Sequence, residues 1–225
     1  FDQMHRILEF FFVSYIHYKM SIDIKVFDHD LPSEIDLSKE KVIALDCEAL
    51  GLQIPRDPLT LVQLGLESKT CYIIKLNRET YVAPNLIKIL RSQKTQFIMH
   101  YARQDLAWLK YYLKVSPKNI FCSKICSKII RTASNTHGYK DLVKELCGKD
   151  ISKKEQTSDW GGKLTEKQIA YAARDTEYLF EIKNKLTKML EREKDRMELF
   201  NKTMSVLPII VDMDLAGYKI SIFEH

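Results

Sequence analysis

The chain has 225 residues, and its 45% hydrophobic and 29% charged residues are typical of a globular protein and not of a disordered or fibrous one. The length predicts one domain, and the net charge of +5 suits a polyanionic ligand without requiring one. The five cysteines are odd in number and match no zinc-site spacing. We therefore expect them to be reduced and mostly buried, in a cytoplasmic protein.

The first nineteen residues differ in character from the rest of the chain. Ile7 to Tyr18 is apolar and aromatic, but it is too short to span a bilayer, and it lacks the features of a secretory signal. Met20 precedes a segment that alternates like a strand. We expect residues 1–19 to be an appended extension and residues 20–225 to form a single domain. The alternative is a genuine N-terminal helix used for packing.

The hydrophobic pattern then predicts strands and helices in alternation. Strands are predicted at 21–27, 42–46, 59–66, 71–74, 96–100 and 119–121. Helices are predicted at 85–91, 102–113, 123–132, 140–147 and 196–215, and one more starts at Glu166 with no evident end before Arg196. This order indicates an α/β protein with a mixed central sheet flanked by helices on both faces.

Two carboxylates follow an apolar predicted strand. Val42 to Leu45 is apolar, and Asp46 and Glu48 come at its end. Residues two apart in a strand point to the same face, so both acids would face one volume at the strand's carboxyl end, where open α/β sheets bind ligands. Neighbouring carboxylates repel each other unless a cation lies between them, and their oxygens suit Mg²⁺ or Mn²⁺. An isolated pair of this kind is more often a strand end followed by an acidic loop.

Further acids occur downstream. Asp105 lies near the start of a predicted helix, where a carboxylate is favourable for the helix dipole alone. Tyr171 and Asp175 are four residues apart and therefore share a helix face, lined otherwise by alanines that leave room for a ligand. The alternative for this pair is a surface tyrosine beside a solvated aspartate.

Together these residues resemble the motifs of the DEDD 3′–5′ exonucleases, in the subgroup with tyrosine in the last motif. Asp46 and Glu48 match Asp-x-Glu, Asp105 matches the middle aspartate, and Tyr171 to Asp175 matches Tyr-x3-Asp. Residues 20–225 are further similar to ribonuclease D, and most of all to its short form, nano-RNase C. The supporting segments are 59–64, 100–103, 121–125, 137–146, 158–160, 164–173 and 214–225.

The resemblance implies a ribonuclease H-like 3′–5′ exonuclease fold and hydrolysis with two divalent metal ions, Mg²⁺ or Mn²⁺. By this resemblance Asp46 bridges both ions, and Glu48 and Asp175 complete the ion that holds the attacking water. Asp105 supports the second ion through water, and Tyr171 orients the attacking water. A phenol with an ordinary pKa near 10 is a poor base at neutral pH, so activation of the water is assigned to the metal.

Predicted substrate contacts are fewer. Leu52 stands where relatives place an apolar wedge against the terminal base, although it could equally be a core leucine. Gly51 would permit a close turn near the nucleotide. A basic stretch contains Lys124, Lys128, Arg131, His137 and Lys140. Within it, Arg131 and His137 are predicted phosphate ligands, whereas a solvated charged face is the more usual explanation of such a stretch.

The resulting prediction is an exoribonuclease that degrades short single-stranded oligoribonucleotides to 5′-mononucleotides. Alternatives are ribonuclease D-like trimming of structured RNA, a DNA exonuclease acting on single-stranded DNA, and a non-catalytic nucleic-acid-binding scaffold. No membrane association is expected. The resemblance also implies a closed homo-oligomer, with the octamer as the family state.

Overall fold

The computed structural model describes residues 22–152, 155 and 157–218. The predicted extension at residues 1–19 lies outside this range. One six-stranded sheet forms the centre, with strand order β1-β4-β3-β2-β5-β6. The strands are β1 (Asp23–Asp28), β2 (Val42–Ala49), β3 (Leu59–Gly65), β4 (Thr70–Lys75), β5 (Gln96–Met99) and β6 (Ile120–Cys122).

The sheet is mixed, as predicted. β2, β3 and β4 form an antiparallel meander, whereas β5 and β6 continue the sheet in parallel beside β2. β1 pairs in parallel with β4 at the other edge. Every residue of β3 is buried, which explains its nearly continuous apolar sequence.

Seven helices of the described region surround this sheet. They are α1 (Pro84–Leu90), α2 (Ala102–Tyr112), α3 (Ser123–Ile130), α4 (Tyr139–Cys147), α5 (Glu166–Glu177), α6 (Leu179–Leu190) and α7 (Lys194–Leu215). The α/β prediction is confirmed. In α7 the helix continues through Pro208 without ending there.

The two faces of the sheet are covered differently. α5 lies over β2, β3 and β4, where a small apolar cluster joins Leu61, Ile73, Trp160 and Tyr171. The larger core includes Phe97, Leu109 and Leu186 and lies on the other side, beneath α2 and α6. Among the described helices, α5 is therefore the one that covers the face toward which Asp46 and Glu48 point.

The long helix predicted from Glu166 is in fact interrupted at Tyr178 and again before Lys194. At the first interruption, the Tyr139 hydroxyl donates to the Arg174 carbonyl at 2.7 Å and accepts from the Tyr178 N–H at 3.2 Å. Those two backbone groups would pair with each other in a continuous helix. The cause is thus a residue distant in sequence, which helical periodicity does not reveal.

Four cysteines, Cys47, Cys71, Cys122 and Cys126, are buried, and none of the five forms a disulfide within the described chain, as predicted. No helix among the described residues has the length and apolar content needed to cross a membrane.

Candidate active site

Three carboxyl groups from two elements meet at the carboxyl end of β2. Asp46 and Glu48 lie two apart on β2, and Asp175 lies in the last turn of α5. One carboxylate oxygen of each residue lies within 4.8 Å of the others. A cation between these oxygens could contact all three groups.

The position of α5 depends on a close approach to the sheet. A Cβ added at Gly65 in β3 would lie 2.6 Å from Oγ1 of Thr176, so only glycine allows this helix to approach so closely. At the other end, Thr165 and Gln168 form a capping box that fixes where α5 begins. The contact at Gly65 sets the distance of α5 from the sheet, and the capping box sets the residue at which this helix begins.

The electrostatics of the trio favour a divalent cation. Burial, followed by the charges of Asp105, Asp175 and Glu48, raises the pKa of Asp46 well above its ordinary value. Burial and then Asp175 and Asp105 raise the pKa of Glu48 to about 9. The metal-free site thus retains protons that a cation would displace, and an all-oxygen donor set fits Mg²⁺ or Mn²⁺.

Asp105 reaches the same cleft from the opposite side of β2. It lies in the first turn of α2, is 4% exposed, and its carboxylate accepts hydrogen bonds from the Cys47 thiol and backbone N–H. Burial raises its pKa to about 8 despite these bonds. Asp105 therefore lines the same cleft as the trio without belonging to it.

Tyr171 lies one turn before Asp175 on α5. Burial and then the Asp175 charge raise its pKa, and its hydroxyl donates a hydrogen bond to Asp175. Its ring packs against Trp160, with centroids 5.9 Å apart. Gln168 holds the segment before Trp160 by donating to Ser158 Oγ and to the Asp159 carbonyl. The phenol is thus neutral and fixed in orientation.

These residues line a cleft of about 620 Å³. Leu52 lies at its edge with 72% of its surface exposed, so Leu52 is not a core leucine. Gly51 also lines the cleft and has a φ of +150°, and a Cβ there would lie 2.3 Å from the Asp57 carboxylate. Only glycine fits beside the Asp57 carboxylate, and this close approach shapes the loop that carries Leu52.

Arg131 and His137, the two predicted phosphate ligands, lie between α3 and α4. Neither is among the described residues that line the cleft. Arg131 donates to the Thr136 carbonyl and pairs with Glu145, and His137 pairs with Ser127 through Nδ1. Their prediction as phosphate ligands remains a prediction, and in this structure their contacts organise the segment between α3 and α4.

Two cleft residues were not singled out from the sequence as a pair. Tyr101 is 48% exposed at the start of α2, and the Lys124 ammonium lies 4.2 Å from the centroid of its ring. Both line the cleft. Lys124 belonged to the predicted basic stretch, but its contact with Tyr101 depends on the parallel pairing of β5 and β6, which brings the starts of α2 and α3 together. No local sequence signal marks such a contact.

Comparison with known proteins gives consistent results. The family model described as a 3′–5′ exonuclease matches residues 21–191. Ribonuclease D of Gluconacetobacter diazotrophicus is 30% identical over 172 residues, which are 76% of this chain and 43% of that protein. DNA polymerase I of Aquifex aeolicus is 32% identical over 169 residues, covering 74% of this chain and 27% of the polymerase. The chain thus spans less than half the length of these curated relatives.

Solved structures of Brucella melitensis NrnC cover 91% of this chain and 100% of their own. The structure with bound Mg²⁺ is 35% identical with a TM-score of 0.83, and the one bound to pGG is 36% identical with a TM-score of 0.84. These matches confirm the predicted exonuclease fold and the resemblance to ribonuclease D and its short form.

Proposed function

The chain belongs to the 3′–5′ exonuclease family, and from that membership we propose that it is a metal-dependent exoribonuclease. Its substrates are short single-stranded oligoribonucleotides, which it hydrolyses to 5′-mononucleotides. The observation that carries this proposal is the convergence of Asp46, Glu48 and Asp175 within 4.8 Å, in a cleft shared with Asp105 and Tyr171.

Two divalent ions, Mg²⁺ or Mn²⁺, are the proposed cofactors. Asp46 would contact both, Glu48 and Asp175 would complete the first site, and Asp105 would support the second through water. When bound, such ions lower the pKa of a coordinated water and stabilise charge on the leaving oxygen. The carboxylates supply the negative charge that binds the ions.

Tyr171 is proposed to orient the attacking water. Its hydroxyl points to Asp175, and burial raises its pKa, so the group remains a hydrogen-bond donor at neutral pH. A protonated phenol cannot accept the proton of the attacking water at neutral pH. Its role is therefore one of geometry, and Trp160 maintains that geometry by packing against the ring.

Short substrates are proposed on the basis of the cleft and of one relative. A volume of about 620 Å³ is in the range of sites for small ligands. Leu52 is exposed where it could wedge against a terminal base, and Gly51 shapes its loop. Tyr101 with Lys124 offers an aromatic face and a cation for a base and a phosphate. NrnC, which is matched over its whole chain, has been solved bound to pGG.

The test is a comparison of a 5′-phosphorylated diribonucleotide, a longer single-stranded RNA and single-stranded DNA, each with Mn²⁺. The proposal expects mononucleotide release, fastest from the dinucleotide, and none from an Asp46→Asn protein purified in parallel. Equal rates on dinucleotide and long RNA would remove the short-substrate assignment. Binding without hydrolysis would instead support a scaffold.

DNA hydrolysis is the second candidate, because DNA polymerase I of Aquifex aeolicus is 32% identical over most of this chain. The same carboxylates would bind the metal ions needed to hydrolyse either DNA or RNA. Faster release from single-stranded DNA than from RNA of equal sequence would favour this candidate.

A cytoplasmic homo-oligomer, octameric as the resemblance implies, is also proposed. Three exposed apolar residues of α7, Leu199, Val206 and Ile209, are seven and three residues apart and so share one side of the helix. Such a stripe is suited to burial against a second copy.

A further inference from the structure

The interruption between α5 and α6 contains an inserted side chain. The Tyr139 hydroxyl donates to the Arg174 carbonyl at 2.7 Å and accepts from the Tyr178 N–H at 3.2 Å. In an uninterrupted helix the Tyr178 N–H would donate to the Arg174 carbonyl four residues earlier. One helical hydrogen bond has thus been replaced by two bonds to a phenol, which is a recognised cause of a helix kink.

The opened turn is the one that carries Asp175, the residue next to Arg174. Asp175 supplies the only carboxylate of the described metal trio that does not come from β2. Asp46 and Glu48 are held by the pairing of β2 with β3, whereas the last turn of a helix can tilt. The position of Asp175 relative to Asp46 and Glu48 therefore depends on how this turn is held.

Tyr139 is well placed to hold it. It is the first residue of α4, it lines the cleft, and its ring contacts that of His100 with centroids 5.7 Å apart. His100 Nδ1 in turn pairs with Ser123 Oγ, which donates to the Met99 carbonyl at the end of β5. A chain of contacts thus connects the sheet, through Tyr139, to the backbone beside Asp175.

We propose that Tyr139 is a positioning residue for metal binding, whose hydroxyl fixes the last turn of α5 and so places the Asp175 carboxylate against Asp46 and Glu48. This inference rests on the proposed function, in which Asp175 is a metal ligand. Tyr171 and Tyr139 then act on the same aspartate in different ways. The Tyr171 hydroxyl contacts its carboxylate, and the Tyr139 hydroxyl contacts its backbone neighbours.

The test substitutes Tyr139→Phe, which retains the ring and removes only the hydroxyl. We expect the affinity for Mn²⁺, measured by titration calorimetry on folded protein, to fall about tenfold, as for other residues that orient metal ligands. Tyr81→Phe is the matched control. It also removes a hydroxyl that donates to a backbone carbonyl, that of Leu59 at 3.0 Å, but it lies outside the cleft lining of the described chain.

A merely structural role gives a different result. In that case both variants lose thermal stability, and both bind Mn²⁺ as the wild type does; this outcome overturns the inference. Mn²⁺ binding by Asp175→Asn and by the wild type distinguishes failure of this inference from failure of the proposed function. If the wild type itself neither binds Mn²⁺ nor releases nucleotides, the proposed function fails first.

A second measurement uses only the wild-type protein and so does not depend on the folding of a variant. Coupling between two events is reciprocal, so Mg²⁺ binding should slow amide hydrogen exchange in the peptide that contains Tyr178. Exchange in that peptide that is unchanged by saturating Mg²⁺ would contradict the proposed connection.

Discussion

At the scale of single residues, the acidic trio combines groups that oppose one another in the metal-free protein. Burial raises the pKa of both Asp46 and Glu48, and the nearby charge of Asp175 raises both further. The arrangement is unfavourable for folding alone and becomes favourable with a cation. Such a conflict between stability and charge is typical of a functional site.

Neutralising any one of the proposed ligands should abolish most of the turnover. We expect Asp46→Asn, Glu48→Gln, Asp105→Asn and Asp175→Asn each to lower kcat at least about a hundredfold, because each removes charge that holds a cation at the reacting phosphate. Tyr171→Phe should lose less, about 10- to 100-fold. Initial rates on a dinucleotide measure this, with Asp195→Asn on the exposed start of α7 as the control. Wild-type rates in a nuclease-free Asp46→Asn preparation would contradict the assignment.

The raised pKa values also predict how stability depends on pH. The pKa of Glu48 is about 9 and that of Asp105 about 8 in the folded protein, both above their unfolded values near 4. The folded state therefore binds more protons between those limits. The contribution of these two groups to the free energy of unfolding is fully present below their unfolded pKa. It is lost as the pH rises through their folded pKa, by at most about 1.4 kcal/mol per pH unit for each group.

The measurement is the Tm of metal-free protein between pH 6 and 9. We expect Tm to fall across this range, Glu48→Gln to flatten the decline, and Mg²⁺ or Mn²⁺ to raise Tm most at the alkaline end. A Tm that rises from pH 6 to 9 in chelator would contradict the raised pKa values of Glu48 and Asp105.

At the scale of the elements, the contact between α5 and β3 allows the least change. Gly65→Ala would place a Cβ 2.6 Å from Thr176 Oγ1 and 2.7 Å from its Cβ, so the helix must shift away from the sheet. We expect a loss of roughly 1–3 kcal/mol in the free energy of unfolding and weaker Mn²⁺ binding, because Asp175 moves with the helix.

Gly162→Ala is the matched control for this change, since an added Cβ there meets nothing closer than 3.8 Å. Urea unfolding and Mn²⁺ titration of both proteins make the comparison. Unchanged stability and binding in Gly65→Ala would mean that α5 has more room than its packing indicates.

Most of the elements, and the mixed sheet that their order indicates, could be predicted from the sequence, but side-chain contacts between distant elements could not. The alternation around Asp46 and the Tyr171–Asp175 spacing are local, so sequence alone predicted them. The interruption at Tyr178 depends on Tyr139, and the exposure of Leu52 depends on the contact between Gly51 and Asp57. Arg131 and His137 show the same limit, because their charge was visible in the sequence and their contacts within the α3–α4 segment were not.

At the scale of the whole molecule, α7 is attached to the helix that carries Asp105. Both Arg103 Nε and a terminal nitrogen lie 2.6 Å from the Asp214 carboxylate, and Lys110 pairs with Asp212. The ion pairs leave the stripe of Leu199, Val206 and Ile209 exposed. A surface that is apolar, helical and rigidly attached is suited to assembly.

Charged residues in this stripe should therefore dissociate the proposed oligomer. We expect Val206→Lys/Ile209→Lys to reduce the molar mass seen by light scattering, with little change in Tm, because both side chains are exposed in the isolated chain. Asn201→Lys, also exposed on α7, is the control for a positive charge added outside the stripe. A variant that keeps the wild-type mass would exclude this stripe as the interface. A wild-type monomer that digests dinucleotides at full rate would remove assembly from the mechanism.

The proposed ligands come from β2, α2 and α5, so no stretch of chain that stops before Asp175 contains them all. This has a consequence for biosynthesis. A chain still on the ribosome cannot complete the acidic set until α5 has left the exit tunnel and packed on the sheet. By this assignment, a product that terminates before Asp175 would lack one of the proposed metal ligands and would hydrolyse no oligonucleotide.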